Sequence, residues 1–297
     1  NKEKIFSRGV KGMIKIIASD MDGTLLNSDH KISDENLKAI REAQEKGIHF
    51  AIATGRDYLD VEPVLKEHNL KCECIVSNGA EYRDSDGKII EAINIDKNSL
   101  RQILKIMNDF NIKAELFTND GIYTPNTREE ALKGTAYMIQ TFNGIESFEK
   151  CLEYAENDGR FTRLKYIEDF EKFFEGPIEV RKIFAFYSDI EALNNARTEI
   201  EKISGLAVSS SFIDNIEITN ESAQKGIILA KVAKKMGIAK EEVMIMGDSF
   251  NDYSMFTEFI ETVAMENAIP EVKEIAKYIT DTNNNDGVAK AIRKVLA

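Results

Sequence analysis

Residues 14–26 read IKIIASDMDGTLL, a short apolar run followed directly by an acidic motif. The run Ile14–Ser19 is typical of a buried strand, and Asp20 follows its last residue. The spacing of apolar residues predicts a helix over Asp34–Lys46, and the segment HFAIAT at 49–54 predicts a second strand. Strands that alternate with helices in this way are typical of βαβ units and a parallel sheet.

The same alternation returns near the end of the chain. A helix pattern covers Ala223–Met236, and the run VMIMG at 243–247 predicts a strand that ends beside Asp248. The region from about 85 to 219 has a different order, in which strand, helix, strand, strand occurs twice, the first time from 88–94 onward. This order suggests an internal duplication and an antiparallel α+β layer.

These patterns predict an α/β fold with two domains, which the length of 297 residues also suggests. Residues 13–84 and 220–297 are expected to form a Rossmann-like, three-layer core around a parallel sheet. Residues 85–219 are expected to form an inserted α+β domain, within which 127–181 has no clear pattern. Residues 1–12 precede an apolar strand that opens with a methionine, and we interpret them as a native extension or an expression remnant.

Composition narrows the classes of function. The net charge of -12 opposes binding to nucleic acid or to an anionic membrane, because both would repel an acidic protein. No apolar stretch approaches the roughly 20 residues that span a bilayer, and the N-terminal residues lack the apolar core of a signal peptide, so we expect a cytoplasmic protein. Cys72, Cys74 and Cys151 are expected to be reduced thiols, because one Cys-x-Cys pair without a second cluster is a poor metal site.

Polar residues follow the predicted strands, at the edge where a parallel sheet places its ligand site. In chain order, these residues and a lysine at the start of a helix are Asp20-Met21-Asp22-Gly23-Thr24, Thr54-Gly55-Arg56, Asn78-Gly79, Lys225 and Gly247-Asp248-Ser249-Phe250-Asn251-Asp252. Four carboxylates at one edge would raise each other's pKa values unless a cation lies among them, and oxygen ligands favour Mg²⁺. With a lysine ammonium and a threonine hydroxyl nearby, the set is suited to holding a phosphoryl group.

With these motifs the chain resembles the haloacid dehalogenase superfamily, and within it the Cof-type phosphatases that have a class IIB cap. DMDGTLL, ATGR, SNGA, QKG, GDSFND and NNDGVA occur in the family's order and at compatible spacing, from Met13 onward. One DxD motif is common in proteins, whereas six motifs in order are specific. The resemblance implies a magnesium-dependent phosphatase that forms a covalent aspartyl-phosphate.

The resemblance also implies a role for each matched residue. Asp20 would be the nucleophile, and Asp22 would be the general acid and base. Mg²⁺ would be bound by the Asp20 carboxylate, the Asp22 backbone carbonyl and Asp248, with Asp252 as a direct or indirect ligand. The residues implied in phosphate binding are Thr54, Gly55, Lys225 and Asn251. Residues that suit either substrate binding or an ordinary capping or surface role are Arg56, Asn78 and Gly79.

By the same resemblance, residues 85–219 are an inserted α+β cap domain, which is expected to close over the sheet edge, exclude water and contact the leaving group. Its cationic candidates, each of which also suits a solvated surface, are Arg128, Lys133, Arg160, Arg163, Arg181 and Lys182. A large cap favours small substrates, with sugar phosphates as the first choice and phosphorylated cofactors such as flavin mononucleotide or pyridoxal phosphate as the second. The protein is expected to be a monomer or a weak homo-oligomer.

Two other functions stay open at this point. A phosphomutase or another phosphotransferase would share the cap class and both aspartates, and release of inorganic phosphate without an acceptor would distinguish it. A non-catalytic sensor of a phosphorylated ligand would show no turnover of an aryl phosphate with Mg²⁺. A dehalogenase has no need of Asp22, and a P-type ATPase requires membrane spans.

Overall fold

A computed structural model describes residues 13–297 of the chain, which fall into two compact units. The first unit runs to Ile93 and resumes at Ser222, and the second unit is Asn94–Glu221. The predicted extension at 1–12 lies outside the described residues. No helix of the described chain is both long and apolar enough to cross a membrane.

The two units are built from short strands and helices. The strands are β1 (Ile16–Ser19), β2 (His49–Ala53), β3 (Glu73–Val76), β4 (Glu81–Arg83), β5 (Ile89–Ala92), β6 (Glu115–Thr118), β7 (Gly121–Thr124), β8 (Lys165–Tyr166), β9 (Val180–Phe186), β10 (Leu206–Ser209), β11 (Asn215–Asn220), β12 (Val243–Gly247), β13 (Glu261–Ala264) and β14 (Tyr278–Ile279). The α-helices are α1 (Asp34–Glu45), α2 (Tyr58–Glu67), α3 (Lys97–Asp109), α4 (Arg128–Asn143), α5 (Phe148–Glu156), α6 (Gly159–Arg163), α7 (Phe170–Glu175), α8 (Ile190–Ile200), α9 (Lys225–Lys235), α10 (Tyr253–Glu258), α11 (Pro270–Ile275) and α12 (Gly287–Leu296). Single 3₁₀ turns occur at Ser77–Gly79, Lys240–Glu242, Phe250–Asp252 and Asn283–Asn285.

The first unit is organised around a sheet with the strand order β14-β13-β12-β1-β2-β3-β4-β5. The strands from β14 to β3 are parallel, whereas β4 and β5 are added antiparallel at one edge. All four residues of the central strand β1 are buried, as expected of a strand that is covered on both faces. Helix α1 packs against α12, and α9 packs against α10. The predicted parallel α/β core is confirmed.

Parallel pairing brings the candidate residues to the same edge of this sheet. Ser19, the last residue of β1, lies beside Met246 of β12 and Ile52 of β2. The chain positions that follow these strands therefore leave the sheet at one edge, and they include Asp20 and Asp248.

The predicted internal duplication is wrong in its first element. Residues 88–94 were expected to open the first repeat, but β5 pairs antiparallel with β4 and forms the edge of the first unit's sheet. An apolar pattern predicts that a strand forms, but it does not indicate which sheet the strand joins. Strand β5 lies just before the chain enters the second unit. The order that recurs within the second unit is helix, strand, strand.

The second unit contains a sheet with the order β10-β11-β9-β6-β7-β8, antiparallel except between β7 and β8. Apolar residues of α3 and α8 pack on one side of the strands, in a cluster that includes Ile103 and Leu193. A second cluster joins Phe117 and Phe184 of the sheet to Phe161 of α6. The segment that had no clear pattern in the sequence forms α4 to α7 and β8, and the predicted α+β character of the insertion is confirmed.

Candidate active site

Three carboxylates and one lysine lie together at the end of β1. The Lys225 ammonium nitrogen is 2.6 Å from Asp20 Oδ1 and 2.7 Å from Asp252 Oδ1. Lys225 and Asp252 have no exposed surface, and Asp20 is 4% exposed. A buried lysine is stable only when its charge is paired, so the two short contacts explain how Lys225 occupies this position.

Two glycines allow Lys225 to stand at the first position of α9. Gly79 has a φ of 100°, and a Cβ built there would lie 2.6 Å from the carbonyl carbon of Gln224. A Cβ on Gly226 would lie 2.2 Å from the Ser254 carbonyl oxygen at the start of α10. Only glycine tolerates both the left-handed backbone at Gly79 and such close backbone contacts. Gly79, a predicted substrate residue, thus lies against the residue that precedes Lys225.

The loop after β12 presents the other two carboxylates. Asp252 Oδ2 accepts hydrogen bonds from the backbone N–H groups of Asp248 and Ser249, at 2.9 and 3.1 Å. The other carboxylate oxygen of Asp252, Oδ1, accepts a hydrogen bond from Lys225, so both of its oxygens have partners. The Thr24 hydroxyl donates to Asp248 Oδ1 at 2.7 Å and ties the loop after β1 to the loop after β12. Thr24 stands in the quoted motif, but sequence reasoning assigned no partner to its hydroxyl.

The single lysine does not neutralise this cluster. Oxygens of Asp20, Asp248 and Asp252 all lie within 4.8 Å of one another. Burial and the nearby Asp252 raise the pKa of Asp20 well above its usual range, and the same two causes raise the pKa of Asp248 to about 7. Burial alone would lower the pKa of Lys225, but Asp20 and Asp252 outweigh it and the pKa is raised. Lys225 therefore stays charged while its neighbours repel each other.

A divalent cation fits this set of donors. Three carboxylates with one ammonium carry excess negative charge in a buried place, and all the acidic donors are oxygens, which Mg²⁺ prefers. The carboxylate of Asp22, the fourth predicted ligand residue, is not in the cluster and contacts Arg56 instead. Its predicted contribution was the backbone carbonyl, and that remains a prediction.

Asp22 and Arg56 form a bidentate ion pair. Arg56 Nε donates to Asp22 Oδ2 at 2.8 Å, and Arg56 Nη2 donates to Asp22 Oδ1 at 2.6 Å. Bidentate arginine–carboxylate pairs fix orientation as well as distance. The Arg56 guanidinium, predicted as a substrate contact, is thus engaged with the predicted general acid, and the sequence offered no signal for this pairing.

The predicted phosphate-binding residues form the rest of this edge. Thr54 is fully buried at the end of β2, and its hydroxyl accepts a bond from the Arg56 N–H at 3.2 Å, across Gly55. Asn78 lies in the next turn with a φ of 58°, and its side-chain oxygen accepts from Asn251 Nδ2 at 3.4 Å. The contact with Asn251 links the turn after β3 to the loop after β12. The Asn78 N–H donates to the Thr54 carbonyl at 3.0 Å and links the turns after β2 and β3.

The cationic candidates of the second unit have varied surroundings. Lys182 is buried and pairs with Glu217 at 3.0 Å, and Arg160 pairs with Glu115. Exposed Lys133 contacts Glu129 at 2.6 Å within α4, as the surface interpretation predicts. Arg128 lies over the Phe161 ring, and Arg163 is the last residue of α6. Arg181 lies in β9, where burial lowers the pKa of its guanidinium.

The three cysteines, which were predicted to be reduced thiols, are free and buried. Two of them, Cys72 and Cys74, flank the start of β3 in the first unit, and Cys151 lies in α5 of the second. None of them joins the carboxylate cluster of the described chain.

Comparison with known proteins agrees with this geometry. A family model described as haloacid dehalogenase-like hydrolase matches residues 17–292. The chain belongs to the haloacid dehalogenase-like hydrolases. It is 35% identical to phosphatase YwpJ of Bacillus subtilis over 285 residues, covering 95% of this chain and 100% of that protein. It is 36% identical to the 5-amino-6-(5-phospho-D-ribitylamino)uracil phosphatase YcsE of the same organism, covering 94% of this chain and 95% of the relative.

A solved structure supports the same assignment. A haloacid dehalogenase-like hydrolase from B. subtilis superposes with a TM-score of 0.83 at 34% identity, covering 94% of this chain and 99% of that chain. Together with the family match, these similarities identify the chain as a Cof-type phosphatase of the haloacid dehalogenase superfamily, a phosphoric monoester hydrolase. The predicted family and enzyme class are confirmed.

The carboxylates of this hydrolase should make its stability depend on pH when no cation is bound. Folding raises the pKa of Asp248 from 3.8 to about 7, so the folded state favours the protonated acid. That stabilisation is present at low pH and is lost as pH rises through about 7. We expect the unfolding free energy of chelator-treated protein to fall by about 2 kcal/mol between roughly pH 5 and pH 8. Urea unfolding at several pH values measures it.

Asp248→Asn is the matched control, because its side chain does not titrate. Its unfolding free energy should fall less over the same pH interval, and the difference from wild type reports the titration of Asp248 together with its effect on the pKa of Asp20. Equal slopes in the two proteins would show that Asp248 carries no raised pKa in the folded state.

Proposed function

We propose that this protein is a magnesium-dependent phosphatase that hydrolyses small phosphorylated metabolites through an aspartyl-phosphate on Asp20. The observation that carries the proposal is the buried Lys225, which contacts Asp20 and Asp252 within a cluster of three carboxylates. Such a cluster, left uncompensated, costs stability, so its retention favours a role in which a cation and a phosphoryl group enter together.

Asp20 is the proposed nucleophile. Its Oδ1 accepts a hydrogen bond from Lys225, which leaves Oδ2 as the oxygen that attacks phosphorus. A bond forms between that oxygen and phosphorus while the bond to the leaving oxygen breaks. Lys225 would restrain the carboxylate during the attack and, with the Thr54 hydroxyl, would hold phosphoryl oxygens. A nucleophile that is already held in the orientation for attack loses less entropy in reaching the transition state, which lowers the activation barrier.

Asp22 is the proposed general acid and base. It gives a proton to the leaving oxygen and later takes a proton from the water that attacks the phosphorus of the acyl-phosphate. This second displacement releases inorganic phosphate and restores Asp20. Arg56 contacts both carboxylate oxygens of Asp22, so it acts as a positioning residue that must release or share an oxygen when Asp22 works.

Mg²⁺ would be held by Asp20, Asp248 and the Asp22 carbonyl, with Asp252 beside them. When bound, it would neutralise charge on the phosphoryl oxygens and on the carboxylates. Asp252 uses its oxygens for Lys225 and for the N–H groups of Asp248 and Ser249, which favours an indirect role that orients the Asp248 loop.

The proposed substrates carry their phosphate on a sugar or sugar-alcohol chain. Two relatives from B. subtilis, at 34% and 36% identity, are 5-amino-6-(5-phospho-D-ribitylamino)uracil phosphatases, whose substrate is such a compound by name. Sugar phosphates remain the first choice, and phosphorylated cofactors such as flavin mononucleotide remain the second. We also propose that residues 85–219 contribute to the choice among them, and that the protein acts in the cytoplasm as a monomer or weak homo-oligomer.

A substrate panel tests this proposal. The panel contains 5-amino-6-(5-phospho-D-ribitylamino)uracil, hexose and pentose phosphates, flavin mononucleotide and an aryl phosphate, each with Mg²⁺ and each with excess chelator. Release of inorganic phosphate without an added acceptor, dependent on Mg²⁺, is the expected result. Phosphate release only when an acceptor sugar is present would point to a phosphotransferase, and binding without turnover would point to a sensor.

Replacement of the general acid should be costly but incomplete. Asp22→Asn keeps the backbone carbonyl and can still bond to Arg56, but it cannot donate or accept the catalytic proton. We expect kcat to fall by about 10² to 10⁴-fold, the usual range for general acid–base catalysis. An aryl phosphate with an acidic leaving group needs less protonation, so it should lose less than a sugar phosphate. The comparison uses kcat/KM, because hydrolysis of the acyl-phosphate also uses Asp22 and is common to both substrates, and equal losses of kcat/KM would argue against the acid role.

A further inference from the structure

One motif of the sequence, NNDGVA at 284–289, is not used by the proposed chemistry. It begins in the 3₁₀ turn Asn283–Asn285 and continues into α12. Asn284 of this motif accepts from the Ser28 N–H and donates to the Ser28 hydroxyl, each at 2.9 Å. Asn283, directly before the motif, and Asn267 contact the loop after β1, which carries Asp22. These contacts are long-range in sequence, and those of Asn283 and Asn267 are made to backbone carbonyls of that loop.

Two asparagine side chains bind loop carbonyls directly. Asn267 Nδ2 donates to the Gly23 carbonyl at 2.7 Å, and Asn283 Nδ2 donates to the Leu26 carbonyl at 2.9 Å. The two asparagines are joined, because the Asn283 N–H donates to Asn267 Oδ1 at 3.0 Å. The loop from Gly23 to Leu26 is therefore bound at both of its ends by one connected pair of side chains.

The same pair is connected to the loop that presents Asp248. Asn267 lies in the segment after β13, and the N–H of Ile269 in that segment donates to the Asp248 carbonyl at 2.9 Å. The Met265 N–H donates to the Gly247 carbonyl at 3.2 Å. Asn267 thus joins the Asp22 loop to the Asp248 loop by a second route, separate from the bond between Thr24 and Asp248.

The loop also has internal hydrogen bonds, two of which are long. The Thr24 N–H and the Leu26 N–H donate to the Met21 carbonyl at 3.3 and 2.9 Å, and the Leu25 N–H donates to the Asp20 carbonyl at 3.2 Å. Gly23 has a φ of 76°, so the chain turns sharply directly after Asp22. A turn at a glycine has a wide conformational range, and the carbonyl of that glycine is the atom that Asn267 fixes.

We propose that Asn267 and Asn283 form an asparagine clasp that positions Asp22 for proton transfer. They are positioning residues, because they act through the backbone of residues 23–26 and do not contact the reacting atoms. The inference rests on the proposed role of Asp22. A displacement of about 1 Å at a catalytic group is enough to cost on the order of a hundredfold in rate, so even a partial release should be measurable.

The test compares Asn267→Ala, Asn283→Ala and the double variant with wild type and with Asn285→Ala. Asn285 belongs to the same turn, but in the described chain its side chain bonds to Asp281 and not to residues 23–26. We expect each clasp variant to lower kcat by about fivefold to twentyfold with KM within about twofold of wild type, and Asn285→Ala to match wild type. The double variant should lose less than the product of the single losses, because the two side chains hold one loop.

Amide hydrogen exchange separates positioning from general loss of structure. In the clasp variants, exchange should rise in the peptide that contains the Thr24 and Leu26 amides, while the amides of β12 keep their wild-type protection. Wild-type kcat and wild-type loop exchange in the double variant would overturn the clasp. So would exchange that rises equally in β12. If wild type released no phosphate, the proposed function would fail while the exchange result still decided whether the clasp holds the loop.

Discussion

Asp20→Asn should reduce phosphate release to the background of the assay, a loss on the order of 10⁵-fold or more in kcat. Asparagine lacks the anionic oxygen that attacks phosphorus, so the covalent intermediate cannot form. It also removes one carboxylate from the set that would hold Mg²⁺ and weakens the contact with Lys225. Steady-state phosphate release with the best substrate of the panel measures the loss.

The same variant should not be less stable than wild type without a cation. Burial and Asp252 raise the pKa of Asp20 well above its usual range, which means that its charged form is unfavourable in the folded protein. A neutral amide of equal size removes that repulsion. We expect the melting temperature in chelator to be equal or higher for Asp20→Asn, and Mg²⁺ to raise it less than in wild type.

Two outcomes would contradict the assignment of Asp20. Activity within tenfold of wild type would place the nucleophile elsewhere. A fall in melting temperature that parallels the loss of activity would show that the variant is inactive because it is unfolded. Trapping of a phosphorylated peptide that contains Asp20 in wild type, and its absence in the variant, would give independent support.

The position of the candidate site could be predicted from the sequence because parallel strands fix it. An apolar run of four or five residues that stops at an acidic or hydroxyl residue indicates both the strand and the edge at which it ends. Asp20, Thr54 and Asp248 all stand directly after such runs. Pairing of β1 with β2 and β12 in parallel register then places them at one edge without further assumptions.

Side-chain partners could not be predicted in the same way. Arg56 pairs with Asp22 across 34 residues of sequence, and which of several nearby carboxylates an arginine contacts depends on turn geometry. The clasp is a similar case, because its asparagines bond to backbone carbonyls, which carry no sequence signal. An asparagine in a turn is more often interpreted as a cap or a turn former.

The insertion was the least predictable part for a related reason. Strand β5 begins with two isoleucines, yet three of its four residues are exposed, and its sequence fits either sheet. Helices α4 to α7 are interrupted by the short strand β8 and are rich in aromatic and charged residues. Their packing depends on contacts such as that of Arg128 over the Phe161 ring, which a single sequence does not reveal.

Lys225→Met should lower both stability and activity by large amounts. Methionine fills a similar volume but leaves Asp20 and Asp252 buried without their cation. Breaking a buried ion pair by removing one partner costs about 3–5 kcal/mol, because a charge stays buried and uncompensated. Loss of the ammonium near the phosphoryl group should lower kcat by about 10² to 10³-fold. Urea unfolding and phosphate release measure the two effects.

The matched control is Lys231→Met on the same helix. Lys231 is 42% exposed and pairs with Glu91 at 2.9 Å, so its loss should change the unfolding free energy by less than about 1 kcal/mol and leave kcat unchanged. In the double variant Lys225→Met/Asp252→Asn, removal of one carboxylate should restore part of the lost stability but none of the activity. A Lys225→Met protein as stable and as active as wild type would show that Lys225 neither compensates the carboxylates nor assists phosphoryl transfer. Recovery of activity in the double variant would show that charge balance alone, and not the ammonium, is what the chemistry requires.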